Sequence, residues 1–272
     1  MTEILKYEKI LGKTLFKWFA LFYLYFKAFT AYRFNTLSYL LTQVVILMGT
    51  LIIWYYNISN GSTGLGFNEI VSYYLIGQIF ILQVEPHWAV SEDIQYGKFS
   101  TKLLRPESTW ISYLVEDIGT NLFTNIVKIC ISIVIAVVFS NFVILPKNPV
   151  TYLIFAVALI IAYLVNLLIS FIASFITFYV INSHGTLEFY SQIKIFCSGW
   201  YFPLNILPIT QPLLYLPFAF TYFYPTQIFL EKQTTADSFL ILFYGIISVL
   251  ILYFLASLIY KNGLKHYESV GL

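Results

Sequence analysis

The stretch SEDIQYGKFSTKLLRPEST, residues 91–109, is a charged island in an apolar chain. It holds Glu92, Asp93, Lys98, Lys102, Arg105 and Glu107, whereas residues 70–84 upstream carry no charge. Downstream, from Ile111, the chain becomes apolar again after one acidic pair, Glu116-Asp117. An island of this kind separates two membrane spans, and it sets the reading of everything on either side.

Composition points the same way. The chain has 272 residues, 59% hydrophobic, 20% aromatic and only 10% charged, with a mean hydropathy of +0.79. A soluble domain carries about 25% charged residues, and a soluble chain this apolar would expose large sticky patches. Several stretches of about 20 residues suit a bilayer-crossing helix. Period-two alternation is missing over most of them, which argues against a membrane barrel. Cys130 and Cys197 each sit in an apolar run without metal-like spacing and read as packing residues.

Six spans are expected, over residues 37–56, 69–90, 111–142, 150–181, 187–202 and 239–260. Residues 1–35, with Lys6, Lys9, Lys13 and Lys17 before the aromatic run 18–26, suit a helix lying in the interface. The loop at 57–68 holds two glycosylation-type triplets, but in a Gly/Ser stretch the turn reading is preferred. Glu85, next to Pro86, is either an ion site within the membrane or an interfacial acid at a proline kink, and the kink is favoured. Lys128 lies eleven residues after Asp117 on one helix face, about 16 Å away along the axis, so the two cannot pair. It must face another helix, face a wet cavity or snorkel. Residues 182–185, Asn-Ser-His-Gly, read as a helix stop closing the fourth span.

Residues 199–235 are apolar yet hold Pro203, Pro208, Pro212, Pro217 and Pro225, so they cannot form one straight helix. Broken backbone at membrane depth must be shielded by protein or line a cavity. The segment reads as a short dip into the outer leaflet followed by interfacial helices, with a loop lying on the membrane as the plainer possibility. If both termini lie inside, eleven lysines and arginines fall on the cytoplasmic side and only Lys147 and Lys232 outside. That orientation makes the island the first cytoplasmic loop, the region of His184 and Glu188 the second, and residues 261–272 a cytoplasmic tail.

Catalytic chemistry is not legible. Gly12-Lys13-Thr14 imitates the end of a phosphate-binding loop, but the glycine required five residues earlier is Tyr7. Ser198 lacks the glycine two positions before it that a membrane serine protease would want, since Phe196 stands there. His87, His184 and His266 form no metal pair at helical spacing. No metal, no cofactor and no nucleic-acid partner is expected of the chain itself. An ion-coupled transporter or channel acting alone stays as the alternative, although the two halves show no repeat.

Three pieces carry a family resemblance: Ile94-x-x-Gly97 followed by Leu103-Leu104-Arg105-Pro106; Gly199-x-x-x-Pro203-Leu204-x-x-x-Pro208; and Lys261-x-Gly263-Leu264-x-x-Tyr267-x-Ser269-x-Gly271. In that order between six spans, they resemble the permease subunits of type-2 ATP-binding-cassette (ABC) exporters of the six-span branch. The high aromatic content is the departure. The resemblance implies an all-α polytopic membrane protein with an N-terminal interfacial helix and a re-entrant outer segment between spans five and six. It also implies a bacterial plasma-membrane location, a second permease copy or sibling permease, and separate ATPase subunits carrying ATP and Mg. Contact with the ATPase then falls to Glu92, Asp93, Tyr96, Gly97, Lys98, Lys102, Arg105 and Pro106, with His184 and Glu188 in the second loop. Gly199, Tyr201, Pro203, Leu204 and Pro208 would belong to an outer gate. The expected cargo is an amphipathic or lipid-like compound, drug or peptide. Within the island, Ser91 is expected to cap a short helix with Glu92 and Asp93 in its first turn. Gly97 would end that helix, and Arg105 before Pro106 would be extended.

Overall fold

In a computed structural model, the described residues are 33–61, 64–106, 108–180 and 183–267, with 19, 20, 22–24, 26 and 27 of the N-terminal stretch. Those N-terminal residues are helical; the four lysines before them lie outside the described residues, as do Ser269 and Gly271 of the tail. Every regular element among the described residues is helical: α1 (Arg33–Ser59), α2 (Phe67–Phe80), α3 (Pro86–Gln95), α4 (Phe99–Leu103), α5 (Thr109–Val138), α6 (Pro149–Phe175), α7 (His184–Ser198), α8 (Phe223–Phe229) and α9 (Thr235–His266). Short 3-10 turns lie at Ser140–Phe142, Ile176–Tyr179, Pro208–Tyr215 and Pro217–Thr221.

Local chemistry sets the long helices. Pro149 opens α6 at a position where its missing N–H costs nothing, and the Asn148 side chain accepts from the Val150 amide at 3.0 Å. Thr234 caps α9 by accepting from the Asp237 amide at 3.1 Å. Asp237 in the first turn and Lys265 and His266 in the last complement the helix dipole. Four helices are long and apolar enough to cross a bilayer: Leu41–Ser59 within α1, Thr109–Val138, Pro149–Tyr179 and Thr235–His266. Of these, α6 with its 3-10 extension is 61% buried along its apolar window, against 11–22% for the other three. It is therefore the hub, packed on α3, α8 and α9. The outer three turn apolar faces outward, as Val45, Ile52, Val137, Val138, Leu250 and Phe254 do, which suits lipid or another apolar helix.

The expected second and fifth spans differ from this. The second is split: α2 stops at Phe80, residues 81–85 are unwound, and α3 begins at Pro86. Its 14-residue α2 is about 21 Å long, short of the roughly 30 Å hydrocarbon core. Pro86 explains the lower edge of the gap, because its ring forbids a helical Glu85, whose backbone sits at φ −140° and ψ 45°. The fifth, α7, has 15 residues, and Gly199 at φ +87° ends it in a left-handed conformation that favours glycine. Residues 183–185 open α7 and do not close α6, because the Ser183 carbonyl accepts from the Leu187 amide at 2.9 Å.

Connections alternate between two ends of the bundle. At one end the Ser72 hydroxyl accepts from the Ile144 amide (2.7 Å), Lys232 pairs with Glu69, and the Glu231 carboxylate accepts from the Asn148 amide (2.9 Å). At the other end lie the described residues of the island, Val180, Ser183, His184 and Tyr267, joined by the contacts described next.

Candidate functional site

The unwound segment 81–85 frees backbone groups that a bilayer interior cannot solvate. One face of α5 takes them up. Lys128 Nζ donates to the Ile81 carbonyl (2.7 Å), and Asn125 Oδ1 accepts from the Gln83 amide (2.9 Å). Asp117 Oδ1 accepts from the Glu85 amide (2.9 Å) and also from Asn121 Nδ2 (2.8 Å). Positions 117, 121, 125 and 128 recur at helical spacing, so they form one stripe. Asp117 and Lys128 do not bond each other; each holds a different backbone group of the same broken strand of chain. At either position an apolar residue would leave a buried amide or carbonyl unpaired, at about 1–3 kcal/mol each.

Beside this break lies a cavity of about 500 Å³. Gln43 of α1, Gln78 of α2, Gln83 and Glu85 of the break, Lys128 of α5, Asn166 of α6, and Ser191 and Lys194 of α7 all face it. Trp200 and Tyr201 close it toward the segment after α7. Glu85 and Lys194 are partly buried, and among the described residues neither side chain makes a hydrogen bond or ion pair. The Lys194 ammonium lies 5.7 Å from the Tyr190 ring centre. Sequence reasoning passed over Lys194. Its signal was available: no acid stands one turn away on its own helix, so a counter-charge had to come from another element.

The island is built differently from expectation. Ser91 lies inside α3 and caps nothing; its hydroxyl bonds Thr177 Oγ1 (2.8 Å) and Ser183 Oγ (2.6 Å), fastening the island to the start of α7. Gly97 does end the helix, at φ +73°. Lys102 is turned inward and is 8% exposed, bonded to Asp93 (2.8 Å) and Glu116 (2.6 Å) with its ammonium 3.7 Å from the Tyr113 ring centre. Tyr113 in turn donates to Asp93 (2.9 Å). The loop is thus stiffened by an internal ion cluster over an aromatic plate. Phe99, fully buried, packs against Tyr113, Phe178, Tyr260 and Tyr267. The tail joins the same plate: Tyr267 Oη accepts from the Ser100 amide (3.3 Å). A Cβ on Gly263 would stand 2.2 Å from the Phe178 ring, so only glycine lets α9 approach there.

Among its described residues, the island leaves outward Glu92, Tyr96, Lys98, Thr101, Leu103, Leu104, Arg105, Pro106 and Ser108. Leu104 is 87% exposed and Tyr96 68%, and neither leucine of the 103–104 pair figured among the sequence's candidate contacts. His184 and Glu188 are exposed beside them, with the His184 ring 5.2 Å from Trp88 of α3. The start of the second loop is therefore fastened to α3 of the island.

At the opposite end, the carbonyls freed where α7 stops are met by neutral donors. Tyr73 Oη donates to the Gly199 carbonyl (2.6 Å) and Tyr74 Oη to the Tyr201 carbonyl (2.6 Å). Trp54 Nε1 donates to Tyr74 Oη (3.0 Å). Leu204 is fully buried and Pro203 buried, whereas Pro208 is exposed. Thr210 Oγ1 donates to the Leu204 carbonyl (2.7 Å) and so ties Pro208–Tyr215 back onto this turn.

Among the described residues no group of three or more His, Cys, Asp or Glu side chains gathers to hold a metal ion. Neither the curated proteins nor the solved structures give a match to the chain. A family model does match, over residues 44–271, and its description is ABC-2 family transporter protein. Membranes of that family are typically crossed by non-catalytic subunits that work with an ABC ATPase carried on a separate chain. With its four long apolar helices and its match over most of its length, this chain belongs to the ABC-2 family transporter proteins as a multi-pass membrane permease.

Proposed function

We propose that the chain is one of two membrane subunits of an ATP-driven exporter. The chain makes six passes, with α2, the unwound segment and α3 crossing together as the second and α7 as the fifth. Both termini lie in the cytoplasm. The observation that carries the reading is the joined face of the two loops, fastened by Ser91 to Thr177 and Ser183 and offering Tyr96, Lys98, Leu104, Arg105, His184 and Glu188 outward. A partner ATPase seats there. Asp93 and Lys102 contribute from inside, by keeping the loop stiff enough to pass a push into α3 and α5.

ATP-driven closure of the ATPase pair moves this face. The motion travels along α3 to the break at 81–85 and along α7 to Gly199. α1 and α7 flank the cavity, so a second permease placed against them completes a path. Gly199, Tyr201, Pro203, Leu204 and Pro208 act at its outer gate, where residues 199–235 make a short dip into the outer leaflet followed by interfacial helices. The cargo is an amphipathic, lipid-like compound, drug or peptide.

The test is co-expression with the neighbouring reading frames. An ABC ATPase should co-purify, and Lys98→Glu with Arg105→Glu should uncouple ATP hydrolysis from transport while the chain still inserts. A chain that never associates with an ATPase sinks this reading. Charged groups beside the cavity favour one second reading, an ion-coupled transporter; transport that follows a proton or sodium gradient in the absence of ATP would establish it.

A further inference from the structure

The cavity and the surface behind it hold most of the unsatisfied polar atoms of the bundle. Four buried side-chain atoms lack a hydrogen-bond partner among the described residues: His87 Nδ1, Tyr163 Oη, Asn166 Oδ1 and Tyr222 Oη. Asn166 and Tyr222 line the cavity. Tyr163 and Asn166 line an apolar groove of about 580 Å³ on the other side of the break, between Phe80, Leu82, Ile129 and Ile160. Native interiors leave few such groups, and each asks for a missing partner. Ile81, Leu82 and Asn166 border both spaces, so a polar chamber and an apolar trough meet at the unwound segment.

Charge narrows what belongs there. Glu85 and Asp117 oppose Lys128 and Lys194, so the chamber and its surroundings hold two acidic and two basic side chains. Asp117 and Lys128 are engaged with backbone groups. Glu85 and Lys194 are the pair left without a bond. A purely anionic or cationic guest would leave one of them, or itself, uncompensated where water is scarce, and that is costly. A guest bearing both charges satisfies both. The chamber's size falls in the range of about 300–1,000 Å³ usual for small-molecule sites.

We propose that chamber and groove together bind a zwitterionic amphiphile of no net charge. Its ammonium lies at Glu85, its acidic group at Lys194, and its alkyl tail in the groove beside Leu82. Asn166 Oδ1 accepts from a donor of the headgroup. The inference rests on the exporter reading and gives its cargo a chemical class.

The full chain in maltoside micelles is titrated with three probes sharing a lauroyl or dodecyl tail: lysophosphatidylethanolamine (zwitterion), lysophosphatidic acid (anion) and dodecylammonium (cation). Bound probe is read by native mass spectrometry. The zwitterion should bind at least about tenfold tighter than either, as expected for one extra charge-assisted contact. Glu85→Gln should erase its advantage over the anion, and Lys194→Gln its advantage over the cation. If either variant fails to fold, the exchange Glu85→Lys with Lys194→Glu keeps both charges in the chamber and should keep the preference. Equal binding of all three probes overturns the site. So does a preference unmoved by the single variants, or loss of thermal stability without headgroup selectivity, which would mark an internal ion pair only. Selective binding by a chain that never associates with an ATPase would remove the exporter and leave the site; association without selectivity would remove only the site.

Discussion

The molecule interrupts its helices twice within apolar surroundings, and it supports the two interruptions with different chemistry. At residues 81–85 the freed backbone groups are met by Asp117, Asn125 and Lys128 from a single face of α5. At residues 199–201 they are met by the neutral hydroxyls of Tyr73 and Tyr74 from α2. The first break opens onto a cavity with charged walls, which Trp200 and Tyr201 of the second also line; at the second, Leu204 is fully buried and a Cβ on Gly199 would stand only 3.0 Å from the Tyr73 hydroxyl. Charged side chains are tolerated in a membrane where a wet or polar space shares their field. Neutral donors suffice where packing already excludes water. The contrast separates a break suited to handling a polar guest from one suited to holding shape.

Substitution should separate the two most sharply at Asp117. Asp117→Leu leaves the Glu85 amide and the Asn121 side chain without their acceptor and should lower unfolding free energy by about 3 kcal/mol, whereas Asp117→Asn, which keeps an acceptor oxygen, should cost about 1 kcal/mol. Denaturation in mixed micelles measures both. Equal losses would mean that the charge, and not the acceptor, supports the break.

At the packed break the order of effects should reverse toward backbone strain. Gly199→Ala adds a side chain at φ +87° and crowds Tyr73, Phe223 and Leu204, for about 2 kcal/mol; Tyr73→Phe, which only removes a neutral donor, should cost about 1 kcal/mol. A larger loss for Tyr73→Phe than for Gly199→Ala, in the same unfolding assay, would show that the hydroxyl and not the glycine conformation holds the turn.

The smallest effect is electrostatic and lies outside the spans. The backbone amides of Asn148 and Lys147, with the Thr151 hydroxyl, hold the Glu231 carboxyl below the usual glutamate range. Because its folded value is depressed, the tie it makes is fully present above the ordinary glutamate value and is lost as pH falls through the lowered one. Protection of the Asn148 amide, measured against its intrinsic exchange rate, should fall on acidification through that window in the wild type and be low throughout in Glu231→Ala. Protection that ignores pH would remove the tie.

How much of this was legible follows the range of the causes. The long apolar runs, the glycine corner at Gly97 and the proline at Pro86 act on their immediate neighbours, and the sequence displays them. The end of α2 at Phe80 does not follow from anything between Phe80 and Val84, since its support comes from α5 more than thirty positions later. Lys102 read as an outward contact because its acids, Asp93 and Glu116, close around it only when α3, α4 and α5 pack together. The tail motif was visible as a pattern, yet its reason, Gly263 and Tyr267 seated on the Phe99 and Phe178 rings, needed the fold. Leu104 showed the opposite failure: an apolar residue in a loop gives no sign that it will point outward.

The coupling face is the claim on which the rest depends, and photo-cross-linking tests it most directly. A benzophenone amino acid is placed at Leu104 and, as the opposite-end control, at Tyr215, which is 91% exposed. In membranes from cells that also express the neighbouring ATPase, Leu104 should cross-link to the ATPase and Tyr215 should not. A cross-link from Tyr215, or none from Leu104 in membranes where the ATPase is bound, would contradict the account.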